Sequence, residues 1–241
     1  MSSVVAVSTH AQLTAIVPVK VKAKINKLVN TIAHFRSFCP VVGLCGRSGS
    51  GKTTAIGCID FIFGDKITTH EISLADPLKD ACSIMFGFNK EQCYGKDKET
   101  LIREINKTPR EILQEFGTLA RKIDPDVFAS AAVNRIKTVV SGPSPTMAIL
   151  GDIRYPNEIK KMKQLEETVI IKLYRTEQTN MSHLSEASVE LCETDVRIVN
   201  ETGNIRKYMV DLVSAILHES EEAAALIDLL DEHIPEHITF F

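Results

Sequence analysis

The chain has no tryptophan, and aromatic residues make up only 6% of its 241 positions. Stacking of bases on aromatic rings is therefore not a general device here. Its six cysteines, Cys39, Cys45, Cys58, Cys82, Cys93 and Cys192, are scattered, with no C-x-x-C pair. That spacing argues against a zinc ribbon or a disulfide framework and fits a reducing compartment. No apolar run reaches the ~20 residues needed to span a bilayer. The net charge of -3 creates no global attraction to nucleic acid or to a membrane surface. Acidic residues are missing altogether from the first 38 positions, which carry Lys20, Lys22, Lys24, Lys27 and Arg36. A transit peptide would favour arginine over lysine. The expectation is instead a basic helix over about Val21 to Ser37, packed beside the core by Ile25, Leu28, Val29, Ile32 and Phe35, with a loose tail before it. There is no internal repeat and no low-complexity tract.

What is present is a phosphate loop. Gly46, Gly51, Lys52 and Thr53 fit the spacing G-x-x-x-x-G-K-[ST], between the apolar run Val41–Cys45 and a helix-compatible segment reaching about Phe63. Glycines allow the backbone to turn with positive φ and bring several N–H groups onto one anion. The helix that follows points its positive end at the same place. Gly46, Ser48, Gly49, Ser50, Gly51, Lys52, Thr53 and Thr54 form the expected nucleotide cradle. Lys52 reaches the outer phosphates, and Thr53 offers its hydroxyl to Mg²⁺.

Four more strands are expected: His70–Ala75, Met147–Leu150, Val169–Tyr174 and Val196–Asn200. Helices separate them, opened by Pro77, by Thr108 with Glu111 as its capping-box partner, by Asp124-Pro125, by Pro156 and by Asn204. Strands alternating with helices predict an α/β fold of the P-loop NTPase type: a five-stranded parallel sheet with helices on both faces. Residues 1–38 read as an N-terminal extension, 39–220 as the kinase-like domain and 221–241 as an acidic C-terminal tail. Ligands bind such sheets at the carboxyl ends of strands. The phosphate loop, Asp76, Asp152 with Arg154, and Arg175 all fall there. Asp152 suits a magnesium-holding carboxylate, directly or through water, so Thr53 and Asp152 are the candidate metal ligands. Arg154 could clamp a phosphoryl oxygen. The helical segment 76–138, inserted between the second and third strands, is where a small acceptor would sit. Lys79 and Arg110 stand there as phosphate-binding candidates, Gln114 as a base reader, and Gly117 and Thr118 as places of close approach.

Taken in order, Gly46–Thr53, Leu74-Ala75-Asp76-Pro77-Leu78-Lys79, Thr108–Gln114 with Gly117-Thr118, Asp126-Val127-Phe128, Asp152–Glu158 and His183–Glu186 resemble the phage and viral deoxynucleoside monophosphate kinases over about Val41 to Ile216. The resemblance implies transfer of the γ-phosphate of ATP, with Mg²⁺, to a deoxynucleoside 5′-monophosphate. It also implies that Lys79, Arg110, Gly117, Thr118, Phe128 and Arg154 line the acceptor site. Two departures stand out. Phe128 occupies a position where the family often has tryptophan. Gly151-Asp152 replaces the more usual pair of aspartates, so one carboxylate of the magnesium shell is missing.

An anionic acceptor phosphate needs no strong general base. Catalysis then rests on alignment and charge neutralisation by Lys52, Asp152 with its metal, and Arg154. Water must be excluded, and the segment Arg175–Asp195, with Arg175 and His183, is the expected lid. The expected partner is a small nucleotide, with neither nucleic acid nor membrane, in the cytoplasm (the host's, if viral); a homodimer is left open. A kinase for another small acceptor such as dephospho-coenzyme A, and a nucleotide-dependent interaction protein, are the alternatives.

Overall fold

Short apolar runs rich in valine and isoleucine, too short for helices, become the strands of one sheet. A computed structural model describes residues 9–175, 188–201 and 204–236. Its strands are β1 (Val41–Cys45), β2 (Thr68–Ile72), β3 (Thr146–Ile153), β4 (Thr168–Arg175) and β5 (Val196–Asn200). They pair in parallel in the order β2-β3-β1-β4-β5. The helices are α1 (Thr9–Ile16), α2 (Val19–Phe35), α3 (Lys52–Phe63), α4 (Asp76–Phe86), α5 (Lys90–Tyr94), α6 (Pro109–Ile123), α7 (Val127–Val140), α8 (Pro156–Met162), α9 (Ile205–Ile216) and α10 (Glu221–His233).

Alternate side chains of each strand feed two cores, as the period of two requires. Val42, Leu44, Met147, Ile149, Ile171 and Leu173 pack with α2, α3, α9 and α10. Val41, Cys45, Ala148, Leu150 and Ile170 pack with α7 and α8. The α/β sheet with helices on both faces is therefore as expected. A third, small cluster of Cys82, Phe88, Cys93 and Ile112 holds α4, α5 and α6 together.

Several elements depart from the sequence expectation. The N-terminal tail is not loose from Thr9 onward: α1 buries Leu13 completely and packs on α3, where Gly57 leaves room for Thr9. The basic helix begins at Val19 and is stopped by Arg36 in a left-handed conformation, φ 51°. Lys90–Tyr94, for which the sequence reading gives no helix, form α5, opened by a reciprocal capping box between Asn89 and Gln92. The acidic C-terminal segment is helical, as its sequence predicts, and what its reading as a tail leaves out is that it buries Leu226 and Leu230 against α2 and α9. Strand β2 ends at Ile72 rather than Ala75, because the Asp152 carboxylate captures the next backbone N–H groups. All six cysteines are free.

Candidate active site

The glycine spacing does what it should. Gly49 and Gly51 take φ of 77° and 101°, conformations that cost an L side chain about 1–2 kcal/mol. At Gly51 an added Cβ would also lie 2.2 Å from Asn200 Nδ2. No side chain caps the start of α3, so its first N–H groups face the loop as an anion site. Lys52 Nζ donates to the carbonyls of Gly46 and Arg47 at 2.6 and 2.7 Å, folding over its own loop. Two residues, one from the edge strand β5 and one from α9, buttress the turn. Asn200 Nδ2 donates to Ser50 O at 3.3 Å, and the buried Tyr208 hydroxyl donates to Gly51 O at 3.1 Å. Burial pushes the Tyr208 phenol far above its ordinary pKa, keeping it a neutral donor. Arg47 pairs with Glu190 at 3.0 Å, and Glu190 also lies 3.8 Å from the buried Lys172.

A cleft of about 650 Å³ opens beside this loop, at the carboxyl ends of β1, β2 and β3. Lys52 and Thr53 stand on one wall. Asp76, Lys79, Arg110, Gln114, Thr118, Asp152 and Arg154 line the rest, so nine residues singled out from sequence meet in one space. The other members of the phosphate loop, Gly117, Phe128 and Arg175 do not line it. Gly117 is where α6 crosses α4: an added Cβ would meet Leu78 Cδ2 at 3.2 Å and Arg121 Nη1 at 3.3 Å. Arg175 is exposed at the end of β4, in register with Asn200. His183 and most of the expected lid lie outside the described residues.

Asp152 sits at an irregularity in β3, where the register with β1 steps from Gly43↔Leu150 to Cys45↔Ile153. The extra residue re-aims the side chains there. Both carboxylate oxygens of Asp152 turn to the end of β2. They accept from Ser73 Oγ at 2.6 Å, Leu74 N at 2.9 Å and Ala75 N at 3.2 Å. In this structure Asp152 organises the β2–α4 turn.

The opposite wall is more cationic than the sequence suggested. Lys98 joins Lys79 and Arg110 in lining the cleft. Burial, and then the charges of Lys79 and Arg110, hold the Lys98 ammonium below its usual pKa. Such a cluster favours an incoming anion. Lys79 Nζ lies 4.0 Å from the Tyr94 ring centroid, and the Tyr94 hydroxyl donates to Asp76 at 3.1 Å. Burial first, and then Asp76, push the Tyr94 phenol up to about 12. Asp76 also accepts from Arg135 at 3.0 Å.

Arg121 is the chief residue that sequence reasoning missed. Its guanidinium carbon lies 4.7 Å from the Phe128 ring centroid and 4.6 Å from that of Tyr155. Its Nη2 is 3.6 Å from Glu158 Oε1. Glu158 is buried, and its other oxygen accepts the backbone N–H groups of Arg154 and Tyr155 at 2.8 and 3.0 Å. Burial raises the Glu158 pKa, partly offset by those two hydrogen bonds and by Arg121. Phe128 thus reaches the cleft only through Arg121. The signal was present in the sequence: Arg110, Gln114, Gly117, Thr118 and Arg121 recur at helical spacing along α6, and the candidate stripe stops one turn short.

No protein-family model matches the chain. A search of characterised sequences finds a mimivirus protein (Acanthamoeba polyphaga mimivirus) named "Putative deoxynucleotide monophosphate kinase". It is 30% identical over 196 residues, which cover 75% of this chain and 98% of that protein.

Proposed function

The chain belongs to the family of viral deoxynucleotide monophosphate kinases, and from that premise we propose that it transfers the γ-phosphoryl group of ATP to a deoxynucleoside 5′-monophosphate. The observation that carries the reading is one cleft with a phosphate loop on one side and Lys79, Lys98, Arg110, Arg121 and Arg154 around the other. That is an arrangement for two anions.

In this reading the backbone N–H groups of the loop and the start of α3 hold the triphosphate. Lys52 exchanges its two loop carbonyls for the outer phosphate oxygens. Lys79, Arg110 and Arg121 bind the acceptor's phosphate, and Arg154 lies between the two groups. The acceptor's own anionic oxygen attacks the γ-phosphorus and ADP leaves, so the chain supplies position and charge rather than a base. Thr53 offers a hydroxyl and the cleft offers carboxylates, all hard oxygen donors. No group of three metal-ligating side chains occurs among the described residues. That donor set fits Mg²⁺, which usually takes one or two carboxylates together with substrate phosphates. When bound, Mg²⁺ neutralises charge developing on the phosphates. The segment 175–195 is proposed as the lid that keeps water away. No described helix is long and apolar enough to cross a membrane, and the proposed place of action is the host cytoplasm.

The test is ADP formation from Mg-ATP with a panel of deoxy- and ribonucleoside monophosphates. Stimulation by at least one deoxynucleoside monophosphate is expected. Equal rates with and without every acceptor would reject the reading.

A further inference from the structure

Gly151 stands where the family resemblance leads one to expect a second aspartate, and the structure shows what occupies that space. A Cβ built on Gly151 would point at α3, 2.9 Å from Ile56 Cδ1, one turn beyond Thr53. Glu71 Oε1 lies 3.9 Å from that same Cβ position. The sheet accounts for this. Glu71 pairs with Ile149, and Ile149 belongs to the core on the α3 side. Paired residues of parallel strands present their side chains to the same face. Glu71 therefore extends from β2 to the edge of the space that a longer side chain at 151 would enter, where Ile56 is the nearest neighbour.

Glu71 is exposed on the edge strand β2, and its place in the site is what separates it from an ordinary solvated glutamate. It lines the cleft together with Lys52 and Thr53. Among the described residues it has no hydrogen-bond or ion-pair partner, which leaves its carboxylate open to a ligand, whereas at least seven other acidic or cationic side chains of the same cleft are hydrogen-bonded or ion-paired. Asp152, by contrast, spends both oxygens on Ser73, Leu74 and Ala75. The neighbouring acid that sequence reasoning favoured as metal ligand is committed to a turn, and the acid it passed over is uncommitted and faces the phosphate-loop helix.

We propose that Glu71 supplies the carboxylate for the divalent cation of the bound nucleotide, replacing the one that Gly151 lacks, and that Asp152 is a positioning residue. The inference rests on the kinase reading above. A cation of this kind takes carboxylate and hydroxyl oxygens and completes its shell with phosphate oxygens and water, so one glutamate lining the same cleft as Thr53 is sufficient.

The probe is Mn²⁺ with a non-hydrolysable ATP analogue, on the full chain, followed by electron paramagnetic resonance. Calorimetry in chelator measures the analogue alone. In the Glu71→Gln protein the Mn²⁺ Kd in the ternary complex is expected to rise about tenfold, or about 1.4 kcal/mol. The metal-free affinity for the analogue should stay the same or tighten, because a negative charge has been removed. Adding Gly151→Asp to that variant should recover at least part of the metal affinity, with Ile56 moving aside. A Mn²⁺ Kd within twofold of the parent overturns the assignment while leaving the kinase reading intact. So does an equal loss of metal-free nucleotide affinity, which would mark a general disturbance. If the parent protein binds no analogue at all, the kinase reading falls and takes the inference with it.

Discussion

Removing Arg121 should damage the fold and the site together, and the size of the loss can be worked out from its surroundings. The guanidinium stacks between Phe128 and Tyr155 at 4.7 and 4.6 Å. Two such contacts at a partly exposed side chain are worth about 0.5–1 kcal/mol each. The pair with Glu158 is long, at 3.6 Å, and Arg121 is 32% exposed while Glu158 is 3% exposed. Solvent screens the attraction itself. The larger cost is leaving a buried carboxylate without its charged neighbour, about 1–2 kcal/mol after that discount. Arg121→Ala should therefore lose about 2–4 kcal/mol in urea unfolding, and each kcal/mol moves the midpoint temperature of a chain this size by about 2–4 °C. The decisive measurement is the double-mutant cycle with Glu158→Gln. The glutamine keeps an acceptor for the Arg154 and Tyr155 N–H groups but carries no charge, so Arg121→Ala should cost about 1–2 kcal/mol less in that background. A loss below about 0.5 kcal/mol for the single change, or the same loss in both backgrounds, would refute the account of a guanidinium held by two rings and one buried acid.

Tyr208→Phe deletes the hydroxyl that donates to Gly51 O; it should cost about 0.5–1.5 kcal/mol and weaken ATP binding several-fold, measured by thermal shift and calorimetry. Asp152→Asn turns an acceptor into a group that cannot accept from Ser73, Leu74 and Ala75 at once; a loss of about 1–3 kcal/mol is expected, read by chemical unfolding. The raised pKa of Glu158 means that the native state holds this proton more tightly than the unfolded chain does. Its contribution to stability is present below the ordinary carboxylate pKa and is lost as pH rises through the raised value. The stability difference between the parent and Glu158→Gln, followed by urea unfolding across that range, should show this fall, and a flat difference would contradict it.

The phosphate loop was legible because its chemistry is local: spacing alone dictates turn, N–H cradle and lysine. The parallel sheet was legible from apolar runs alternating with capped helices. What sequence hid were meetings between distant segments. Asn200 and Tyr208 look like ordinary strand and helix residues until the order of the sheet brings β5 and α9 beneath Ser50 and Gly51. The apolar stripes of α2 and α10 announce burial without saying that each is covered by the other. Glu71 reads as the polar half of an alternating strand, and only the register with β3 sets it beside Gly151. The partners of Asp152 were equally hidden. Its place after an apolar run suited a metal ligand, while the irregularity of β3 turned it toward the β2–α4 turn.

The account depends on two anions meeting across one cleft, with Lys52 serving the triphosphate. The most direct test is the rate of ADP formation from Mg-ATP with and without a deoxynucleoside monophosphate, in the parent and in Lys52→Ala. An acceptor-dependent rate in the parent, abolished by Lys52→Ala in a protein that still unfolds cooperatively, is the predicted result. An unchanged rate in Lys52→Ala would contradict the account.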